Sequence, residues 1–574
     1  MRNKLPDFLI LPTRFLVIGL LVLTASIAKG QQIAVHLNKQ VFIGGSLLKY
    51  VVYLNKSLTN QKEQVLGENL YFEIADINNQ SVIRWKSQVK SNSLKGEYKI
   101  PENIVHGLYF LHVYTNSSRA DALASFSTPI LIQEIHEEPM QLLTLVKNNS
   151  ESADTFYTST SFISDNSIEV KIEKDTSVVS YSGVTSIKVT LVQEISNAQL
   201  SVSITEITPF NDRLAQVSRE AFQQKFQKTS QDYFNFDVEQ GFTMLSGYVT
   251  NKNGAPYSNL PVYISFTGQS VSFRYSITDE NGSFCFALDS VWNNKELLLQ
   301  SGFNVYGSDS LVWAIDEKRL QLSSLDTVNY TLETNEYEYL LQLQKRELVN
   351  RIFTPETKVE LQSNTNQEID NFFLTPNYVI YPADFEPLND FKEIADNILP
   401  AVRFKKEGDG YKMGIITEQQ QVVFENVLVC LNGNPILTMN IVEQLSSADI
   451  ERVEIFNSEL LYGQLTYIGV VSIFTRNKNI LLKDVAPNGY YYSNNFYSGS
   501  YQPVNKSPNN PVVNPEIYWN PYVTLTQDEP FSFKLSPVDI GEQYLITIHG
   551  VSDSGKPIWY QQPIRLGINK KQLE

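Results

Sequence analysis

Apolar and polar residues alternate along this chain in short runs, and each run stops at residues that favour turns. Examples are "LLKYVVYL" at 47–54, "GLYFLHVYTN" at 107–116, "TSIKVTLV" at 185–192 and "LSVSITEI" at 200–207. A period of two sends successive side chains to opposite faces of a strand, so each run can bury one face and leave the other for water or a neighbour. Many such strands separated by turns predict β-sandwiches. The 42% hydrophobic content, with 31 Tyr and 31 Phe against 19% charged residues, is too apolar for a disordered chain and suits half-buried pleated surfaces. At about 100–200 residues per domain, 574 residues predict roughly three to five domains. The expected fold class is therefore mostly β.

Lys and Arg total 46 against 62 for Asp and Glu, a formal charge of −16. That balance argues against a phosphate-neutralising surface and so against nucleic acid as a partner. The two cysteines, Cys285 and Cys430, sit far apart in apolar runs and read as small core residues, not as a disulfide or a thiolate metal site. At the start, Arg2, Lys4 and Arg14 precede the apolar run 15–23 and then Ala28-Lys29-Gly30, which places small residues at the minus-three and minus-one positions of a cleavage site. The run is shorter than the roughly 20 residues that cross a bilayer, so residues 1–30 read as a secretory signal peptide. The mature chain is expected to begin near Gln31, to be exported, and to carry no transmembrane segment. It would lie in the periplasm, against the outer membrane, or at the cell surface.

Family resemblances divide the rest. The phrase "VHLNKQVFIGGSLLKYVVYL", a hairpin at 76–80 and "LKGEYKIPENIVHGLYFLHVYT" resemble a macroglobulin-type sandwich, placed at 31–137, with a second sandwich at 138–212 and a linker at 213–240. The segments "LSGYVTNKNGAPYSNLPVYISFTG" and "YSITDENGSFCFAL" resemble the carboxypeptidase regulatory-like domain, a seven-stranded sandwich placed at 241–333. In that family the domain is a structural accessory to a separate zinc peptidase, and no His-x-x-Glu pair occurs here. A helix follows at 334–355, with Tyr337, Leu341, Leu348 and Ile352 on one stripe, expected to pack on the domain after it.

Residues 427–476, "VLVCLNGNPILTMNIVEQLSSADIERVEIFNSELLYGQLTYIGVVSIFTR", predict a buried strand, an Asn432-Gly433 turn, a short helix near 441–445, a strand with Val453 and Ile455 on one face, and a last strand at 470–475. This α+β pattern resembles the plug domain of TonB-dependent outer-membrane transporters, placed at 356–485. A transporter barrel needs about 22 strands of about 10 residues, and only 477–574 follow, so no barrel accompanies the plug-like unit. Residues 486–574 read as a Tyr- and Pro-rich segment and a C-terminal β domain. The whole is thus expected to be tandem immunoglobulin/macroglobulin-like β-sandwiches plus a small α+β plug-like domain, an architecture similar to a group of exported Bacteroidetes proteins.

Chemistry is harder to find. Asp279, Glu280 and Asn281 fill a four-residue turn and not a calcium loop. His106 and His112 share a strand face without a third ligand, no Gly-x-Ser-x-Gly elbow appears, and the macroglobulin thioester Cys-Gly-Glu-Gln is absent. No catalytic residue, cofactor or metal is assigned. The candidate interface residues are Tyr462, Gly463 and Tyr467, in the loop before the last plug-like strand, and Tyr490, Tyr491, Tyr492 and Tyr497, because Tyr combines large contact area with few torsions. The leading expectation is a non-enzymatic envelope binding or scaffold protein whose partner is an outer-membrane protein or complex, such as a TonB-dependent transporter or secretion machinery. The alternatives are an envelope enzyme acting on glycans or peptides, and a reduced protease-binding macroglobulin-like protein.

Overall fold

The computed structural model describes residues 32–55, 68–89, 91, 93–120, 125–146, 168–174, 185–191, 195–211, 214, 238–266, 273–301, 311–320, 327–353, 375–408, 410–476, 489–494, 515–535, 543–553 and 557–565. The expected signal peptide, most of the expected linker and Tyr497 lie outside them. The fold is mostly β. Among the described residues, no helix is long and apolar enough to cross a membrane.

The N-terminal sandwich packs a three-stranded sheet (Gln32–Leu37, Leu47–Asn55, Ser93–Lys99) against a five-stranded one ordered Val41–Ile43, Phe126–Gln133, Gly107–Thr115, Asn69–Asp76, Ser81–Gln88. Its core stacks Trp85 on Phe72 at 5.0 Å and on Tyr98 at 4.2 Å, with Tyr50 beside them. Gly96 stands directly opposite Tyr50, and a Cβ there would run into the Tyr50 hydroxyl. The hairpin at 76–80 closes because Asp76 Oδ1 accepts from the backbone of Asn78 and Gln80, at 2.9 and 2.7 Å.

The second sandwich departs from the expected division. Strands Ile168–Lys174 and Thr185–Leu191 join Phe531–Leu535, while Asn197–Glu206 lies between Glu516–Thr526 and Gln543–Ser552, with Pro557–Arg565 outermost. Strands 168–206 of the block expected at 138–212 and the block expected at the C-terminus form one composite sandwich with a single core that includes Ile187, Leu200, Val202, Val523, Leu525, Ile546 and Ile548, whereas Leu142–Val146 pairs with Thr327–Thr331 in a separate sheet. Alternation reports which side chains face a core, not which strand supplies the next hydrogen bonds.

The middle sandwich pairs Ser283–Leu288, Thr243–Thr250 and Val312–Ile315 in one sheet and Phe273–Ile277, Pro261–Ser265, Glu296–Ser301 and Tyr490–Ser493 in the other. Asp279 Oδ1 accepts from Asn281 and Ser283, both at 2.9 Å, and Gly282 has φ +74°, so this acidic run makes a turn. Cys285 is exposed, contrary to expectation, because Phe284 and Phe286 take the inward positions of its strand; Cys430 is buried.

The helix Thr334–Phe353 corrects two expectations. Leu348 and Ile352 are 42% and 77% exposed, whereas Glu336, Leu340, Leu343 and Gln344 are buried. It packs on the outer face of the N-terminal five-stranded sheet, against a cluster including Val41, Ile43, Phe110 and Leu131, and not on the domain after it. Polar residues at the buried face disguised it: Gln344 donates to the carbonyls of Glu134 and Glu137 at 2.6 and 2.8 Å, and Glu336 accepts from the Glu333 amide at 2.8 Å.

The α+β unit has a five-stranded sheet ordered Tyr378–Ile380, Ile450–Phe456, Gly469–Thr475, Val427–Leu431, Asn434–Pro435, a three-stranded sheet from Val402–Glu407, Gly410–Ile416 and Val422–Val423, and short helices Phe391–Asn397 and Asn440–Glu443. Asn432 and Gly433 turn at φ +46° and +86°, and Val453 and Ile455 are fully buried, as the spacing predicts.

Candidate functional site

The tyrosines singled out from sequence are taken up by the chain's own domains, in two separate clusters. The hairpin Leu460–Tyr462 and Leu465–Tyr467 leans from the α+β unit onto the middle sandwich. Tyr467 is buried, with its hydroxyl 3.0 Å from that of Tyr263, and Tyr462 donates to the carbonyl of Phe273 at 3.2 Å while its ring meets Phe273 and Tyr275 edge-on at 5.3 and 5.1 Å. Gly463 has φ +60°, and a Cβ there would strike the Tyr275 hydroxyl, which accepts from the Gln464 amide at 2.7 Å. Burial pushes the Tyr462 and Tyr467 phenols up from their ordinary pKa. Tyr490, Tyr491 and Tyr492 form a strand on Leu297–Leu299 of the middle sandwich, not a loop. Burial pushes Tyr492 up to about 12. Arg452 and Glu454 pair at 2.8 Å, with the Arg452 guanidinium 3.9 Å from the Phe474 ring centre.

Two further seams escaped the sequence reading. Between the N-terminal and middle sandwiches, Arg119 grips Asp316 with both terminal nitrogens, one at 2.6 Å, and Lys318 Nζ lies 3.2 Å from the same carboxylate; all three side chains are 3% exposed. Burial pulls the Asp316 carboxyl up, but Arg119 and Lys318 outweigh it and hold the pKa below the usual carboxylate value. Glu73 accepts from Tyr114 and Arg319, each at 2.9 Å. Glu239 accepts from the Tyr71 hydroxyl at 2.7 Å, from Asn69 at 3.1 Å and from the Met244 amide at 2.8 Å. Lys86 donates to Asn494 Oδ1 at 2.5 Å. Burial lowers the Lys86 pKa to about 7 and that of His112, which sits 2.7 Å from Ser127 Oγ, to about 4.

Between the N-terminal and composite sandwiches, His36 bridges Ser201 and Ser203 at 2.6 and 2.9 Å. Its ring lies 4.3 Å from that of His549, which stacks on Trp559 at 3.6 Å. Both ring nitrogens of His549 are buried and without a partner among the described residues. Burial pushes His549 down to about 3 and His36 well below its ordinary value, the latter reinforced by His549. A hydroxyl at 2.6 Å from an imidazole is the contact of an activated nucleophile. Ser201 is fully buried and also meets Tyr53 at 2.9 Å, so a substrate does not reach it. Lys49 and Asn38 hold Glu516 across the same seam, at 2.7 and 2.5 Å. Among the described residues, no three His, Cys, Asp or Glu side chains converge to hold a metal.

Solved structures similar to this chain include bacterial alpha-2-macroglobulins. A Salmonella alpha-2-macroglobulin reacted with methylamine aligns over 94% of this chain and 39% of its own, at 9% identity and a TM-score of 0.23. An E. coli alpha-2-macroglobulin activated by porcine elastase aligns over 93% and 44%, at 8% identity and the same TM-score. The chain spans less than half the length of those proteins, and at these scores the likeness carries no argument about domain arrangement or activity. No protein-family model and no curated protein matches the chain.

The seam residues left little trace in the sequence because each lies alone in its own strand. Arg119 and Asp316, or His36 and His549, converge only when separate sheets meet. The available signal was polar residues interrupting apolar runs, as Glu73 does in "LYFEIAD" and Lys86 in "VIRWKSQ".

Proposed function

We propose that the protein is a non-enzymatic binding or scaffold component of the bacterial envelope, in which sandwiches present the α+β unit to an outer-membrane protein or complex. The observation that carries this reading is the distribution of apolar surface on that unit. Its Tyr467 side is covered by Tyr263 and Phe273 of the middle sandwich, so this face is spent inside the chain. One edge of its sheet, the strand Tyr378–Ile380 and the turn after it, leaves Tyr378, Val379, Tyr381 and Phe385 between 39% and 48% exposed. Open aromatic side chains along a sheet edge suit contact with another protein. The partner surface thus moves from the tyrosine loops to this edge.

The test is capture from outer-membrane extracts by the mature chain, with partners identified by mass spectrometry, beside a Tyr381→Ser, Phe385→Ser double variant. A specific membrane protein held by the parent and lost by the variant, with melting unchanged, supports the reading. Equal capture by both removes the edge as the contact, and capture of nothing specific by the parent removes the partner.

A further inference from the structure

The four-stranded sheet of the composite sandwich has two unlike faces. Inward, Val202, Ile546, Ile548 and Tyr560 join the apolar core. Outward, the two-residue period places Ser203, Thr547 and Gln561 in one row across neighbouring strands, and Ser201, His549 and Trp559 in the next. This polar face is partly covered. The strand Gln32–Leu37 of the N-terminal sandwich meets it through His36, and Tyr339 of the long helix also lines the space they leave, a cavity of about 140 Å³. A cavity of about 150 Å³ takes one benzene ring, so this one has room for a single six-membered ring. Gln40 and Trp559 on its lining are exposed, so the cavity opens to solvent.

His549 sets the chemistry of the space. It is 7% exposed, lines the cavity, and has both ring nitrogens buried without a hydrogen-bond partner among the described residues. The rings of His36 and Trp559, at 4.3 and 3.6 Å, fix it without bonding either nitrogen. A buried polar atom without a partner is costly, and a ligand that pairs with it removes that cost. Burial keeps this imidazole uncharged at neutral pH, so it offers one donor and one acceptor. An anion can only accept and an ammonium only donate, whereas a hydroxyl does both. Thr547, Ser203 and Gln561 beside it are neutral and likewise combine donor and acceptor capacity. The charged groups on the lining are answered within the protein: Glu206 by Arg346 at 2.5 Å, and Lys39 by the fields of Glu347 and Glu516 and by the Phe42 ring at 5.2 Å. Trp559, 37% exposed, adds an aromatic surface on which the C–H groups of a sugar ring can pack.

We propose that this cavity binds one pyranose unit of a glycan, with sugar hydroxyls on His549, Thr547 and Gln561 and the ring beside Trp559. The sugar is bound and not cleaved. Glu206 is the one carboxylate among the described lining residues, and glycoside hydrolysis ordinarily uses two. The site shares no residue with the edge at Tyr378–Ile380, so either can fail without the other.

The test uses the full mature chain and saturation-transfer NMR with glucose, galactose, mannose, fucose and N-acetylglucosamine, each offered alone. At least one is expected to receive saturation and to change the tryptophan fluorescence along a saturable curve. His549→Phe keeps a ring and removes both nitrogens, and should weaken that binding at least about tenfold, the worth of one hydrogen bond to a buried group, with melting unchanged or raised. Thr547→Val removes only a hydroxyl and should also weaken binding with the fold intact, whatever His549→Phe does to stability. Absence of saturable binding by all five sugars means that the cavity holds water only and overturns the proposal. Equal binding by the parent and both variants places the sugar elsewhere and overturns the site. Inorganic phosphate or acetate that binds where the sugars do not, and is lost in His549→Phe, makes the cavity an anion site and overturns the ligand class.

Discussion

The N-terminal and composite sandwiches have cores of the same kind but opposite construction. The N-terminal one takes all its strands from residues 32–133, and aromatic stacking of Phe72, Trp85 and Tyr98 fills it. The composite one takes Asn197–Glu206 as an inner strand and waits for Glu516–Thr526 and Gln543–Ser552 to flank it. Everything between, including the middle sandwich, the long helix and the α+β unit, is inserted within it. Loop closure grows only logarithmically with length, about 0.6 kcal/mol per doubling, so such an insertion costs little in stability. Its consequence is dependence: the early strands of the composite have no core until the end of the chain arrives.

The strongest way to break this comparison is truncation after residue 514. Loss of Val523, Leu525, Ile546 and Ile548 strips the partners from Leu200, Val202 and Ile204. Residues 168–206 are then expected to become the first target of limited proteolysis, while the fragment around 32–133 persists. Protection of 168–206 in the truncated chain would show that the early strands fold without their late partners.

The seams sharpen the contrast next. Asp316→Ala leaves Arg119 and Lys318 buried without their counter-charge, and removal of one partner from a buried ion pair costs about 3–5 kcal/mol. Glu516→Ala on the composite side leaves Lys49, which is 19% exposed and can hydrate, and should cost about 1 kcal/mol. Urea unfolding of both variants measures the difference; equal losses would mean that the two seams are alike.

The buried histidines add a dependence on pH. His112 and His549 are held uncharged by burial, at about 4 and about 3, below the ordinary histidine value near 6.5. Below pH 6.5 the unfolded chain takes up protons that the folded one refuses, so stability is full above that value and falls as pH drops toward 4. Each such histidine contributes a slope of about 1.4 kcal/mol per pH unit, or about 3 kcal/mol for His112 over its window. His549→Phe should remove one share of the slope; an unchanged slope between pH 6 and 4 would place the proton uptake elsewhere.

Individual strands were legible where alternation was clean, as at Leu47–Asn55, Gly107–Thr115 and Ser283–Leu288, and the α+β order of 427–476 followed from its turn and strand pattern. The helix was legible but its buried face was not, because Glu336 and Gln344 serve backbone groups inside the contact. The strand Tyr490–Ser493 was not legible because a run of tyrosines has no alternation to expose it.

The sequence alone therefore determined the fold class, the sites of the tight turns and the inward positions of most strands, since these depend on residues within a few places of one another and on the two-residue period of the pleat. The tertiary structure decided which strands pair across residues 207–515, where the tyrosines spend their surface, and which buried charges meet. Those outcomes depend on backbone hydrogen bonds that carry no residue identity, and on desolvation at seams between sheets, which exist only after each sheet has formed.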